Sequence, residues 1–247
     1  MSNPVSFAKH GKHLWELLDW TPSCEQINQL LIVQKSLIDW NQKLNLTRLT
    51  QGEDYWISQI FDSLWPLADE LTTPKKELEC IDVGSGCGFP GLAVAIALPE
   101  AKLTLIDSTR KKTIALNAIA KEAGLSSRVN VRTERAEVTG QHKCFRGKFD
   151  LAMARAVSTP PVVAEYLVPL IKPEGQALLY LGKWSNREEK ALMKSLIPLK
   201  AKLKIVVRKE LPSNRGERHQ LRLKAIEKCP KIYPREVGIP AKSPLSS

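Results

Sequence analysis

The stretch Cys80-Ile-Asp-Val-Gly-Ser-Gly-Cys-Gly-Phe-Pro-Gly-Leu-Ala-Val-Ala-Ile-Ala-Leu98 decides the fold. It reads as a short strand, a glycine turn and a helix. The alternating glycines 84, 86 and 88 remove the Cβ atoms that would keep a ligand off the backbone, and the residues after them carry helical apolar spacing. That pattern predicts a nucleotide pocket. About twenty residues further on, Leu103-Thr-Leu-Ile-Asp107 reads as a second buried strand. It ends in a carboxylate placed where a ribose diol needs a paired acceptor.

The glycine spacing separates two cofactors. A pyrophosphate-binding turn has the order G-x-G-x-x-G, and the register Gly86-Cys-Gly88-Phe-Pro-Gly91 fits it in part. The order Asp82-x-Gly84-x-Gly86-x-Gly88 instead resembles motif I of S-adenosylmethionine methyltransferases, whose cofactor has ribose and adenine but no phosphate. We rank the dinucleotide second. A turn that merely packs a helix on a sheet ranks third, because Asp107 stands at the distance a ribose contact requires.

At 247 residues the chain is long enough for one α/β domain with an appendage, and 43% hydrophobic with 26% charged residues is ordinary for a globular protein. The charge is unevenly laid. Residues 181–247 carry 17 basic and 6 acidic side chains, and this excess accounts for the whole net charge of +11. Such asymmetry points to a polyanionic partner, most simply nucleic acid; the plainer reading is a solvated basic face. The five cysteines (24, 80, 87, 144 and 229) include no C-x-x-C pair, which argues against a disulfide framework and a zinc site. Cys80 and Cys87 read as small core residues rather than catalytic thiols. The start Met1–His10 lacks a signal-type apolar core, and no apolar run reaches the ~18 residues of a membrane span. The expectation is a reducing, cytoplasmic setting with no membrane and no metal.

Along the chain, residues 1–75 are expected to form a helical extension, 76–228 the catalytic domain and 229–247 a basic, proline-containing tail, extended over the surface or disordered. In the extension Ser23 and Gln26 make a capping box, and Ile27, Leu30, Leu31, Leu37, Ile38 and Leu44 recur on one helical face. A second helix is predicted over Tyr55–Leu71, bent at Pro66, with Trp56 and Trp65 as core residues. Thr73-Pro-Lys-Lys76 reads as the connection. Beyond it, strands are predicted at 79–83, 103–107, 128–132, 149–154, 176–181, 203–208 and 219–225, alternating with helices up to an antiparallel last pair. The expected fold is therefore a seven-stranded Rossmann-like methyltransferase sheet, with the ligand outside the carboxyl ends of its early strands.

With these residues assembled, the chain resembles the glucose-inhibited division protein B family, the RsmG-type methyltransferases. The resemblance rests on Asn45-Leu-Thr47, Ile60-Phe-Asp-Ser63, Gly88-Phe-Pro-Gly91, Asp107-Ser-Thr-Arg-Lys-Lys112, Arg135-Ala-Glu137, Ala154-Arg-Ala156, Gly216-Glu-Arg-His219 and Tyr233-Pro-Arg235, in that order across most of the chain. It implies S-adenosylmethionine as cofactor, methylation of guanine N7 in 16S ribosomal RNA, and small-subunit RNA or a 30S assembly particle as partner; the sequence leaves the oligomeric state open, with a monomer expected. The chain departs from the family at Leu181-Gly-Lys-Trp184, where Lys-Gly is common, and at Cys87, where proline is common.

Carried onto this sequence, the resemblance implies cofactor contacts from Asp82, Gly84, Gly86, Gly88, Phe89, Asp107, Ser108, Thr109, Ala136, Glu137 and Arg155. It implies catalytic roles for Arg155, Arg218 and His219, and RNA contacts from Arg110, Lys111, Lys112, Lys183 and Arg218. Plainer readings stand beside these. Asp82 would tie down the glycine turn, Arg155 would pair a buried carboxylate, and His219 would be a satisfied core histidine. His10, His13 and His142 show no ligand spacing and read as surface residues. Two other functions compete: a nicotinamide-dependent oxidoreductase, for which no tyrosine-lysine pair stands out, and an RNA-binding assembly factor with a vestigial pocket.

Overall fold

The computed structural model describes residues 11–73 and 77–246. The expectations for Met1–His10, for the connection at 74–76 and for the boundary between 75 and 76 lie outside those residues. Seven strands form one sheet: β1 (Glu79–Val83), β2 (Lys102–Asp107), β3 (Val129–Thr133), β4 (Phe149–Arg155), β5 (Ile171–Leu181), β6 (Ala201–Glu210) and β7 (Glu217–Ala225). Their order is β3-β2-β1-β4-β5-β7-β6. The first five are parallel, whereas β7 runs antiparallel to both β5 and β6. This is the predicted architecture. The chain reverses direction across the sheet at β1, so β1, β2 and β4 present their carboxyl ends to one crevice.

Two apolar cores lie on the two faces of the sheet. On one, the helix Cys24–Leu44 packs with the helices Gly91–Ala97 and Arg110–Glu122. On the other, Pro160–Leu167 and Asn186–Leu199 cover β4, β5 and β7. Parallel strands covered on both faces are buried along their length, as residues 80–83 of β1 and 151–154 of β4 are, with Asp82 the one charged residue type among them. The Ser23–Gln26 capping box forms with both of its bonds, worth about 1 kcal/mol for such a cap. Gln26 then reaches across to donate to Ile96 O at 2.9 Å, and Gln29 donates to Ala123 O at 3.2 Å. The extension thus satisfies carbonyls left free at the ends of two sheet-covering helices.

The predicted single helix over Tyr55–Leu71 is a correction. The chain runs instead through a helical turn Gly52–Tyr55, a π-helix Trp56–Phe61, Asp62–Leu64, a 3-10 turn Trp65–Leu67 and a last helix Ala68–Thr72. Pro66 lacks an N–H and stands at the start of the 3-10 turn. The wide π turn moves the polar residues Ser58, Gln59 and Asp62 round to the crevice, a use of π geometry that recurs at functional sites. Trp56 and Trp65 are buried, as predicted. β5 begins at Ile171, earlier than predicted; Ile171 pairs with Phe149 of β4, and the register between the two strands shifts between Phe149 and Leu151.

The tail does not stay extended throughout. Cys229 is buried, and a short helix spans Ile239–Lys242.

Candidate active site

A crevice of about 860 Å³ opens at the carboxyl ends of β1, β2 and β4. The glycine turn forms its floor. Gly84 and Ser85 donate to Ile106 O at 2.9 and 3.0 Å, which stitches the turn to β2. Gly86 has φ +57° and only the oxygen of Gly84, at 3.7 Å, near the place of a Cβ. That position needs glycine for its backbone and leaves open space toward the cavity. Gly88 differs: a Cβ there would meet Leu92 at 2.5 Å and Leu116 at 2.9 Å. Its glycine therefore serves helix packing, and Gly88 is absent from the cavity wall.

Asp107 ends β2 with both carboxylate oxygens oriented by the backbone. Oδ2 accepts from Gly86 N–H at 3.0 Å and Oδ1 from Thr109 N–H at 2.8 Å, and the residue is 7% exposed. A carboxylate held twice cannot swing away, and each oxygen keeps a lone pair for a ligand hydroxyl. Ser108 and Thr109 continue the same rim, and Phe89, edge-on to Tyr55 at 5.9 Å, backs the turn.

Asp82 stands behind the wall, not on it. It is fully buried, its Oδ2 accepts from Gly91 N–H at 3.0 Å, and its Oδ1 has no hydrogen-bond partner among the described residues. Burial pushes its carboxyl up to about 6, with the Gly91 bond acting in the opposite sense. The side chain thus ties the helix start to β1, which matches the plainer of its two readings and corrects the expectation of a direct cofactor contact.

The opposite wall holds a cluster that sequence reasoning missed. Arg155, at the end of β4, donates to Ser58 O at 3.1 Å, to Asp62 Oδ2 at 3.3 Å and to Gln59 Oε1. Arg218 Nε donates to the same Asp62 oxygen at 3.3 Å, and Trp65 Nε1 donates to Asp62 Oδ1 at 3.3 Å. Gln59 Nε2 links this group to Thr47 Oγ1 at 3.4 Å and to Cys87 Sγ at 3.7 Å. Asp62, Arg155 and Arg218 all line the cavity, and Arg155 both pairs a buried carboxylate and faces the crevice. Cys87 lines it too, but burial holds its thiol up, so it is not a ready thiolate nucleophile.

Three expectations are corrected or divided here. His219 is off the cavity wall; its Nδ1 lies 2.8 Å from Gly182 O and its ring is almost fully buried, so it packs as a satisfied histidine. Its neighbour Arg218 in the alternating strand β7 takes the inner position. Ala136 and Glu137 line the β3 side, but Glu137 Oε1 is occupied by Tyr166 OH at 3.3 Å and by Gly238 N–H at 3.0 Å. Of the basic residues, Lys112 reaches the cavity, while Arg110, Lys111 and Lys183 lie on the exposed surface around it. No group of three or more metal-ligating side chains occurs among the described residues.

The model of the GidB family, described as rRNA small subunit methyltransferase G, matches residues 26–219. A protein of Prochlorococcus marinus (strain MIT 9313) named "Ribosomal RNA small subunit methyltransferase G" is 58% identical over 247 residues, 100% of both chains. One of the same name from Synechococcus sp. (strain CC9902) is 56% identical, over 97% of this chain and 99% of that protein. Among solved structures, a branched-chain polyamine synthase mutein from Thermus thermophilus superposes with a TM-score of 0.55 at 13% identity, covering 80% of this chain and 64% of that one. The ribosomal protein L11 methylase of Lactobacillus delbrueckii subsp. bulgaricus gives 0.51 at 17%, covering 69% and 80%. These two likenesses concern the fold alone.

Proposed function

The chain belongs to the rRNA small subunit methyltransferase G family, and from that premise we propose that it methylates N7 of a guanine in small-subunit ribosomal RNA. S-adenosylmethionine is the cofactor, and when bound it supplies a methyl carbon made electrophilic by its sulfonium. The crevice fits it: the volume is ample, Gly86 leaves the floor open, and the fixed Asp107 carboxylate offers acceptors for two ribose hydroxyls. In this reading Gly84, Gly86, Phe89, Ser108, Thr109 and Ala136 line the rest of the cofactor's bed. Residues 1–75 are then an extension whose described part, 11–73, braces a methyltransferase domain over 76–228, and 229–247 is its tail.

The observation that carries the N7 assignment is the state of Asp62. It is the carboxylate of the Arg155 wall, and it already accepts from two guanidinium groups and an indole. No histidine lines the cavity among the described residues. Such a wall offers donors rather than a poised proton acceptor, which suits a nucleophile that carries a lone pair and no proton. Arg155 and Gln59 then orient the base, and Arg218 meets an RNA phosphate beside it. Holding nucleophile and methyl carbon in line at ~3–3.5 Å supplies ~7–11 kcal/mol without acid or base chemistry. A-form RNA hides the N7 edge in a deep, narrow groove, so the target guanine must be unpaired or splayed into the crevice. Arg110, Lys111, Lys112 and Lys183 surround the opening as phosphate contacts.

Two results are expected. Single-turnover rates at saturating cofactor and RNA should vary little between about pH 6.5 and 8.5, and His219→Gln should leave that profile unchanged. A tenfold rise per pH unit that one substitution abolishes would mean that a proton is taken from the acceptor, and the N7 reading would fail. Arg218→Ala should slow methylation while leaving cofactor affinity within about twofold of the unaltered chain. It should also flatten the log–log salt dependence of RNA binding by about one. Full activity with an unchanged slope would return Arg218 to a purely structural role.

A further inference from the structure

The C-terminal segment is pinned to the body by buried carboxylates, and the pinning sets its path over the cavity. Glu165 is 0% exposed and accepts from Arg235 three times: from Nε at 2.9 Å, from Nη2 at 2.7 Å and from the backbone N–H at 2.9 Å. Arg235 Nη2 also donates to Ser243 O at 2.8 Å, which closes residues 235–243 into a loop. Glu137, 5% exposed, takes the Gly238 N–H on the oxygen that holds Tyr166 OH. Burial first, and Glu137 second, raise the Tyr166 hydroxyl to about 12, so it stays a donor. The consequence is positional. Ala241, in the short helix Ile239–Lys242, lies on the cavity wall beside Ala136, Glu137 and Tyr166, on the β3 side, whereas Arg155 stands on the β4 side.

We propose that residues 238–242 form one wall of the nucleoside end of the cofactor site, and that Arg235 and Glu165 are positioning residues that hold this wall in place. The proposal rests on the cofactor reading above. A carboxylate desolvated completely requires its bidentate partner, so the pair behaves as a latch rather than a loose surface contact. Lysine at 235 keeps the charge but loses the two-pronged geometry.

The test is calorimetric titration of the full chain with S-adenosylmethionine and, separately, with S-adenosylhomocysteine, each variant being checked by thermal melting. Ala241→Trp fills the wall without touching the latch, and should weaken both ligands at least tenfold at an unchanged melting temperature. Arg235→Ala should weaken them as much, and Arg235→Lys should restore part of the loss. The KM for RNA should stay within twofold throughout. Cofactor binding within twofold of the unaltered chain for Ala241→Trp would overturn the proposal and leave the cofactor reading intact, even if Arg235→Ala failed to fold. Absence of binding by the unaltered chain would overturn the cofactor reading and the proposal with it.

Discussion

Replacing Asp107 by alanine is expected to weaken S-adenosylmethionine binding by about 1.5–3 kcal/mol, roughly 10- to 150-fold, with RNA affinity unchanged. Two losses add. The ribose hydroxyls lose their acceptor, and the N–H groups of Gly86 and Thr109, which now point at the carboxylate, lose theirs, so the turn is no longer fixed. The fold should survive, because the turn keeps its bonds from Gly84 and Ser85 to Ile106 O. Asp107→Asn, which retains one acceptor oxygen, should fall between the two. Calorimetric titration and filter binding to RNA measure both ligands. Equal losses for cofactor and RNA would remove Asp107 from the cofactor site.

Asp62→Ala should produce the second large effect, this time on both stability and turnover. Removing one partner of a buried ion pair costs about 3–5 kcal/mol, because the remaining charge is left without compensation. Here the side chains of Arg155 and Arg218 are 15% and 28% exposed, so water recovers part of that loss and the lower end of the range is expected. Turnover should fall about 10²-fold, since both guanidinium groups lose the anchor that aims them and small displacements at a reacting centre are costly. Urea unfolding and single-turnover methylation separate the two quantities. A stability loss with wild-type turnover would make Asp62 a scaffold and take Arg155 and Arg218 out of the chemistry.

The central sheet was legible because its strands are short apolar runs between glycine and helix signals, and β1 falls on the predicted residues. β5 starts before its predicted bound of 176 and runs through Pro173 and Gly175, residue types that usually break strands. Gly175 instead marks a close backbone approach, a Cβ there lying 2.5 Å from Phe149 O. Asp107 was legible from spacing alone. Asp62 was not: it sits in the apolar run Trp56–Trp65, whose 3.6-residue periodicity reads as an ordinary helix, and only the π turn brings it to the crevice. Its partners Arg155 and Arg218 are distant in sequence, so no local spacing could reveal the cluster. The motif Ile60-Phe-Asp-Ser63 carried the signal without a role attached to it. Glycines 84, 86 and 88 looked equivalent in the sequence, yet Gly84 and Gly86 line the crevice while Gly88, packed against Leu92 and Leu116, stands off its wall. Glu137 likewise could not be divided between cofactor and tail before the tail's path was known.

The decisive measurement is to incubate the full chain with methyl-labelled S-adenosylmethionine and small-subunit ribosomal RNA or particles lacking the modification, and then to map the labelled nucleotide. One guanine should carry the label at N7, seen both as 7-methylguanosine on nucleoside mass spectrometry and as a single site of borohydride- and aniline-induced cleavage. A label on an exocyclic amine or a ribose oxygen would contradict the N7 assignment, and RNA binding without any transfer would mark the chain as an assembly factor with a vestigial pocket.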